Sequence, residues 1–199
     1  MKISNATEVV LHHEAEWTRI MSEENDKQSL LRYGMTLLII AYALMFVLTA
    51  LFSMALSAMV PFSTMHAVTS VVIEFALSVA SLYFVPQILA SIAPSFGGRN
   101  DSMNALKLYV FAATPAWIGM SIAMIPVLGW LAALAGGIYA IYLFWSHFAV
   151  AMSIPEDKKV GFVVVAVIVL AVIHIVIHMI GGGIANIVAP YSFHYGPNF

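Results

Sequence analysis

Five long apolar runs determine what this chain can fold into. They lie at residues 35–60, 67–93, 108–126, 127–152 and 160–180. An α-helix rises about 1.5 Å per residue, so about 20 apolar residues cross the ~30 Å hydrocarbon core of a bilayer. The runs lack the alternation of transmembrane β-barrel strands. Because a helix satisfies its own backbone hydrogen bonds in lipid, the sequence predicts an all-α, polytopic membrane protein with five transmembrane helices.

The composition excludes several classes of function. Hydrophobic residues make up 62% of the 199 residues and charged residues 9%, against about 25% charged residues in soluble domains. A soluble enzyme, a disordered chain or a nucleic-acid-binding protein does not have this balance. The chain has no cysteine, which excludes disulfides and thiolate metal sites. We therefore expect a non-enzymatic protein that is surrounded by the lipid bilayer and binds no nucleic acid.

The third and fourth runs adjoin, and the residues at their junction predict a turn. Pro126 and Gly129 interrupt an apolar stretch that is too long for a single crossing. We expect a tight helical hairpin there. Three consecutive glycines at 181–183 are expected to end the fifth helix.

The basic residues predict how the helices are oriented in the membrane. Lysine and arginine together number 8. They precede the first run or separate runs two and three or runs four and five: Lys2, Arg19, Lys27, Arg32, Arg99, Lys107, Lys158 and Lys159. With five crossings they all fall on one side, and basic loops face the cytoplasm. We expect a cytoplasmic N-terminus and a C-terminus on the opposite side of the membrane.

The chain divides into three parts. A cytoplasmic segment at 1–32 precedes the transmembrane domain at 33–189, and a short outer tail follows at 190–199. The first segment is polar with scattered apolar residues. These residues fit a helix that lies on the membrane with Trp17 at headgroup level. The same composition also fits a partly ordered tail.

A pattern in the third and fourth runs resembles a known family. Its residues open the third run, form the turn and continue into the fourth run: Thr114, Pro115, Pro126, Gly129, Gly136, Tyr139 and Tyr142. The pattern is similar to that of the Yip family, integral membrane proteins named for their interaction with Ypt/Rab GTPases, and most similar to its small bacterial branch. The resemblance implies a five-helix membrane fold with a cytoplasmic N-terminus. It also implies a role as a scaffold or membrane-organising partner.

Polar side chains within the apolar runs are candidates for a functional site. Glu74 is the only charged residue inside any run, and an intramembrane carboxylate costs several kcal/mol unless it is paired, protonated or hydrated. His174 and His178 are four residues apart and therefore share a helix face. The predicted crossings place both histidines and Glu74 in the outer half of the membrane, and His66 lies in the short outer loop above Glu74.

Three roles fit these four residues. Imidazole and carboxylate groups form a ligand set for a divalent transition metal. The same groups can relay protons, because histidine titrates near neutral pH. They can also form a structural network of hydrogen bonds between helices. We therefore predict a Yip-type scaffold, whose small-residue faces also suit a homo-oligomer, or alternatively a transporter or binding protein for a small solute or a transition-metal ion.

Small residues in the fourth run predict a close helix contact. Gly136 and Gly137 follow the two alanines at 132–133 by four residues. Small residues at this spacing let another helix approach closely. We expect this contact within the chain rather than between two copies of it.

Overall fold

The computed structural model describes Trp17, residues 26–57 and residues 63–190. Five long helices account for most of this part of the chain. They are α1 (Lys27–Ser57), α2 (Thr64–Ile92), α3 (Ser102–Ser121), α4 (Leu128–Met152) and α5 (Glu156–Val188). A single 3₁₀ turn, Ala93–Phe96, follows α2. The described part contains no strand, so the all-α prediction is confirmed there.

Four of the described helices are long and apolar enough to cross a membrane. The qualifying stretches are Lys27–Ala55, Thr64–Phe96, Leu128–Phe148 and Glu156–Val188. The helix that does not qualify is α3, which carries Asn104 and Lys107 in its first two turns. Its buried side chains run from Ala105 to Ser121, almost its full length. Because its neighbours enclose it, α3 needs less apolar surface than a helix that faces lipid.

The helices form a central group with two flanks. Helices α1, α2 and α3 pack against one another, while α4 packs chiefly on α3 and α5 chiefly on α2. The two flanking helices approach each other near their connection, where the rings of Phe148 and Phe162 stack with centroids 4.0 Å apart. Elsewhere α4 and α5 expose large apolar side chains, such as Ile138 at 60% and Ile175 at 56%. Surfaces of this kind suit a lipid environment.

The predicted hairpin between the third and fourth runs is confirmed. Helix α3 ends at Ser121 and α4 begins at Leu128. A Cβ atom on Gly129 would collide with the carbonyl of Ile122, and a Cβ on Gly136 would collide with that of Pro115. Both glycines therefore let the two backbones touch. For Gly136 this is the close contact that the spacing of small residues predicts, whereas a Cβ on Gly137 would meet no described atom within 4 Å. Gly136 serves packing within the chain.

At one end of the bundle the connection between α2 and α3 packs against the connection between α4 and α5. The backbone N–H of Arg99, after α2, donates a 2.9 Å hydrogen bond to the carbonyl of Met152 at the end of α4. Asp101 then caps α3, its carboxylate accepting from the N–H groups of Met103 and Asn104. Lys158, in the first turn of α5, lies at the same end. The two connections that carry Arg99 and Lys158 therefore meet at the same end of the bundle.

The fifth helix is longer than predicted. Glycines 181–183 were expected to end it, but α5 continues to Val188, so that prediction is wrong. Glycine lowers helix propensity by about 1 kcal/mol relative to alanine, yet packing commonly outweighs propensity. Here α5 continues because its last turns pack on α2, where Gly181 contacts Glu74.

Trp17 also differs from expectation. Rather than lying on the outside of the bundle, it is 2% exposed, and its ring stacks on His147 with centroids 4.1 Å apart and planes 11° apart. Phe111 meets the same indole edge-on at 6.2 Å. Trp17 therefore packs between helices. Lys107, expected in a connection, lies within α3 and is 4% exposed. The rest of the 1–25 segment and the 191–199 tail lie outside the described residues.

Candidate functional site

Glu74 lies in the third turn of α2, on the side that faces α5, and is 7% exposed. The facing position on α5 is Gly181. A Cβ atom there would lie 2.6 Å from Glu74 Cγ and 3.3 Å from Oε1, closer than carbon atoms pack. The absence of a side chain at 181 therefore makes the space in which the Glu74 side chain is buried.

His178, almost one turn before Gly181, provides the partner that a buried carboxylate needs. Its Nδ1 lies 3.0 Å from Glu74 Oε1. The two groups differ in exposure: 9% of the Glu74 side chain is accessible, against 44% of the His178 side chain. The contact therefore joins an enclosed acid to an imidazole at the outer edge of the α2–α5 interface. The contact gives the carboxylate a hydrogen-bonding partner, and no second charged group is enclosed with it.

His174 extends the contact into a chain of three groups. Its Nε2 lies 3.0 Å from His178 Nε2, and the two rings meet edge to face with centroids 4.5 Å apart. At that distance one nitrogen must carry a proton and the other must accept it. With Nδ1–H of His178 donating to Glu74, the neutral arrangement has Nε2–H of His174 donating to Nε2 of His178. The chain leads from a buried carboxylate to an exposed imidazole.

His66 does not join this chain. It precedes Glu74 by eight residues, about 12 Å along α2, and is 6% exposed. Its Nδ1 lies 3.1 Å from the carbonyl oxygen of Ala189, and its backbone N–H donates to the capping Ser63 hydroxyl. His66 therefore ties the beginning of α2 to the end of α5, which is the structural role weighed for these histidines.

The four predicted site residues thus divide into a chain of three and one separate contact. Within the described part of the chain, no three histidine, aspartate or glutamate side chains converge as the ligands of one metal ion. The Glu74 carboxylate contacts Nδ1 of His178. It does not point to a place where one metal ion could be bound by the carboxylate and both imidazole rings. The metal-binding role of these residues stays a prediction.

Sequence reasoning missed a polar stripe on α2 that continues from Glu74. Ser78 and Ser81 follow it at helical spacing. The Ser78 hydroxyl bonds to Tyr42 of α1 over 2.8 Å, and the Ser81 hydroxyl bonds to Tyr109 of α3 over 3.1 Å. Together with Glu74 and His178, the stripe links α2 to each helix packed against it. The spacing Glu74, Ser78, Ser81 is visible in the sequence, but its partners lie on three other helices.

The family-pattern residues lie elsewhere, along the α3–α4 hairpin. The hydroxyl of Thr114 donates to the carbonyl of Val110 over 3.0 Å, and the next residue, Pro115, meets Gly136. The rings of Tyr139 and Tyr142 stack with centroids 5.9 Å apart. These residues shape the hairpin, whereas the Glu–His chain joins α2 to α5.

Comparisons with known proteins establish the family. The profile of the Yip1 domain matches residues 7–178, a range that includes the hairpin pattern, Glu74 and both histidines of the chain. Neither the comparison with curated proteins nor that with solved structures finds a match. The family match agrees with the apolar helices of the described residues. The chain belongs to the Yip family of integral membrane proteins.

Proposed function

We propose that this Yip-family protein is a non-enzymatic scaffold that organises other membrane proteins, or copies of itself, within the bilayer. The observation that carries the proposal is the way in which the two flanking helices, α4 and α5, pack on the central helices. Helix α4 rests chiefly on α3 and α5 chiefly on α2, so each keeps an outer face that the described part of the chain leaves exposed. Faces of this kind can receive helices of other membrane proteins.

The polar contacts support a structural role for the interior. Side chains of α2 bond to α1, α3 and α5, which holds the central helices in one arrangement. A groove of about 240 Å³ between α1 and α2 is lined by apolar groups such as Ile39, Phe46 and Val71. It suits a lipid acyl chain better than a polar substrate.

The proposed topology has five crossings in a bacterial inner membrane, with the N-terminus in the cytoplasm. In this topology α3 is one of the five crossings, and its neighbours shield it from lipid. Antiparallel crossing of successive helices puts Arg99 and Lys158 at the end where α1 begins, and the positive-inside rule assigns that end to the cytoplasm.

Cross-linking in native membranes tests the scaffold proposal. The chain contains no cysteine, so single cysteines can be introduced at Ile138 on α4 and Ile175 on α5, which are both exposed. Val72, exposed at 53% on α2, is the matched control on a central helix. We expect discrete protein adducts from the two flanks and few from position 72. Lipid adducts alone at all three positions would contradict the proposal.

Transport of a small solute or a transition-metal ion is the second candidate, and the Glu74–His178–His174 chain is the observation that favours it. Such a chain can move a proton between a buried and an exposed group. The test is flux of protons or Zn²⁺ into proteoliposomes, compared between the natural chain and Glu74→Gln. The scaffold proposal predicts the same leak for both proteins, whereas flux that the substitution abolishes would favour transport.

A further inference from the structure

Two imidazole nitrogens converge at the exposed edge of α5. Nε2 of His174 and Nε2 of His178 are 3.0 Å apart. In a tetrahedral zinc site with Zn–N bonds of about 2.0–2.1 Å, two ligand nitrogens are about 3.3 Å apart. A small rotation of either ring therefore opens the pair to chelate one ion. His174 then carries its proton on Nδ1, so that both Nε2 lone pairs face the metal.

Glu74 has the position of an orienting group rather than that of a ligand. Metal-binding histidines almost always donate their other ring N–H to a carboxylate or a carbonyl. Nδ1 of His178 makes this contact with Glu74 Oε1 at 3.0 Å. The contact fixes the tautomer of His178 with its Nε2 lone pair directed outward. Because Gly181 leaves room for the Glu74 side chain, the carboxylate is held in place from both helices.

One chain supplies only half of such a site. Structural zinc sites have four ligands, and in the described residues no third histidine or carboxylate completes a ligand set with the pair. The pair is accessible from outside the bundle, since 44% of the His178 side chain is exposed. If a second copy of the chain were related by a two-fold axis next to α5, its own His174 and His178 would lie beside the first pair. The two pairs together would supply four nitrogen ligands to one metal ion.

The surface beside the pair allows that approach. Gly182 follows His178 by one turn, and a Cβ atom added there would meet no described atom within 4 Å. A glycine at this position brings the backbone of another helix close. Two imidazoles exposed at the depth of the hydrocarbon core also require a polar partner. A second copy provides one, because the two-fold axis sets imidazole against imidazole.

We propose that His174 and His178 of two copies of this chain together hold one divalent transition-metal ion, with Glu74 orienting His178. Neutral imidazole suits zinc, nickel and copper(II). The site is a structural bridge between copies. It goes beyond the scaffold function, which does not depend on it.

Zinc titration of the purified full chain in lipid nanodiscs tests the site, with a purification tag that contains no histidine. We expect one zinc per two chains. His174→Ala and His178→Ala should each weaken binding at least tenfold, and Glu74→Gln should weaken it 10- to 100-fold while both ligands remain. The matched control removes two other histidines, His12→Ala with His13→Ala, and should bind as the natural chain does. Absence of zinc binding, or binding that survives His174→Ala, would overturn the proposal.

A second measurement separates the bridge from a site within one chain and remains informative if a histidine variant fails to fold. Ile175→Cys, one residue from His174, should form a disulfide-linked dimer that depends on zinc, whereas Ile138→Cys on α4 should not. Gly182→Leu adds a side chain where the described atoms leave open space. It should keep the melting temperature and lose both the dimer and the zinc. One zinc per chain, unaffected by Gly182→Leu, would contradict the bridge.

Discussion

Replacing Gly181 by alanine probes the α2–α5 interface directly. The added Cβ would lie 2.6 Å from Glu74 Cγ, where ordinary contact begins at 3.4 Å. Glu74 cannot simply rotate away, because it is 7% exposed and bonded to His178. Overpacking of this kind costs about 1–3 kcal/mol, while alanine regains up to about 1 kcal/mol of helix propensity. We expect Gly181→Ala to lower the free energy of unfolding by up to about 2 kcal/mol.

The neighbouring glycine provides the matched control. A Cβ on Gly182 meets no described atom within 4 Å, so Gly182→Ala brings the same change in propensity without the collision. The two variants should differ by about 1–3 kcal/mol. Denaturation in mixed micelles, followed by tryptophan fluorescence, measures that difference. Equal stabilities would refute the reasoning.

A double-mutant cycle shows whether Glu74 is the cause. Glu74→Ala removes the Cγ atom with which the new methyl group collides. In that background only the gain in helix propensity of up to about 1 kcal/mol should remain for Gly181→Ala, which gives a coupling energy of about 1–3 kcal/mol between the two sites. A cost that persists without Glu74 would mean that position 181 is constrained by some other contact.

The remaining predictions concern other interfaces. Gly136→Ala places a methyl group against the backbone of Pro115 and should destabilise the hairpin by about 1–3 kcal/mol. Gly137→Ala should leave the melting temperature unchanged or slightly higher, because a Cβ there meets no described atom within 4 Å. Tyr42→Phe removes a hydrogen bond to α2 and should cost about 0.5–1.5 kcal/mol in the same unfolding assay. An impermeant maleimide should label Arg99→Cys only after the membrane is opened; labelling from outside intact cells would contradict the proposed orientation.

Long apolar runs made the helices predictable. Four of the five predicted crossings correspond to described helices that qualify by length and composition, because the hydrocarbon core imposes that length. Helix α3 illustrates the limit of the approach. Its polar first turns reduce its hydropathy, and only the packed arrangement explains why it can still lie at the centre of the bundle.

In the sequence, the only sign of the Glu–His contact was that Glu74 and the two histidines were predicted to lie at a similar depth in the membrane. Antiparallel helices put Glu74, His174 and His178 at one level, and the structure brings these three together. The sequence could not show that α2 and α5 are neighbours. Nor could it show that Glu74 contacts Nδ1 of His178. It also could not separate His66, whose partner is a backbone carbonyl at the other end of the chain.

Burial by distant residues explains the largest errors. The local surroundings of Trp17 fitted either a helix on the membrane surface or a partly ordered tail, but His147 and Phe111 enclose it from other helices. The glycines at 181–183 suggested a helix end because propensity is a local property. The packing of Gly181 against Glu74 of α2 is not a local property, and it decides the outcome.

Native mass spectrometry of the chain, released in patches of its own membrane, tests the scaffold account most directly. The account predicts complexes in which the chain is accompanied by at least one further polypeptide, either another copy or a different membrane protein. Those complexes should be lost when large polar residues replace Ile138 and Ile175 on the exposed flanks. A mass equal to one chain with bound lipid, under conditions that preserve other membrane complexes, would contradict it.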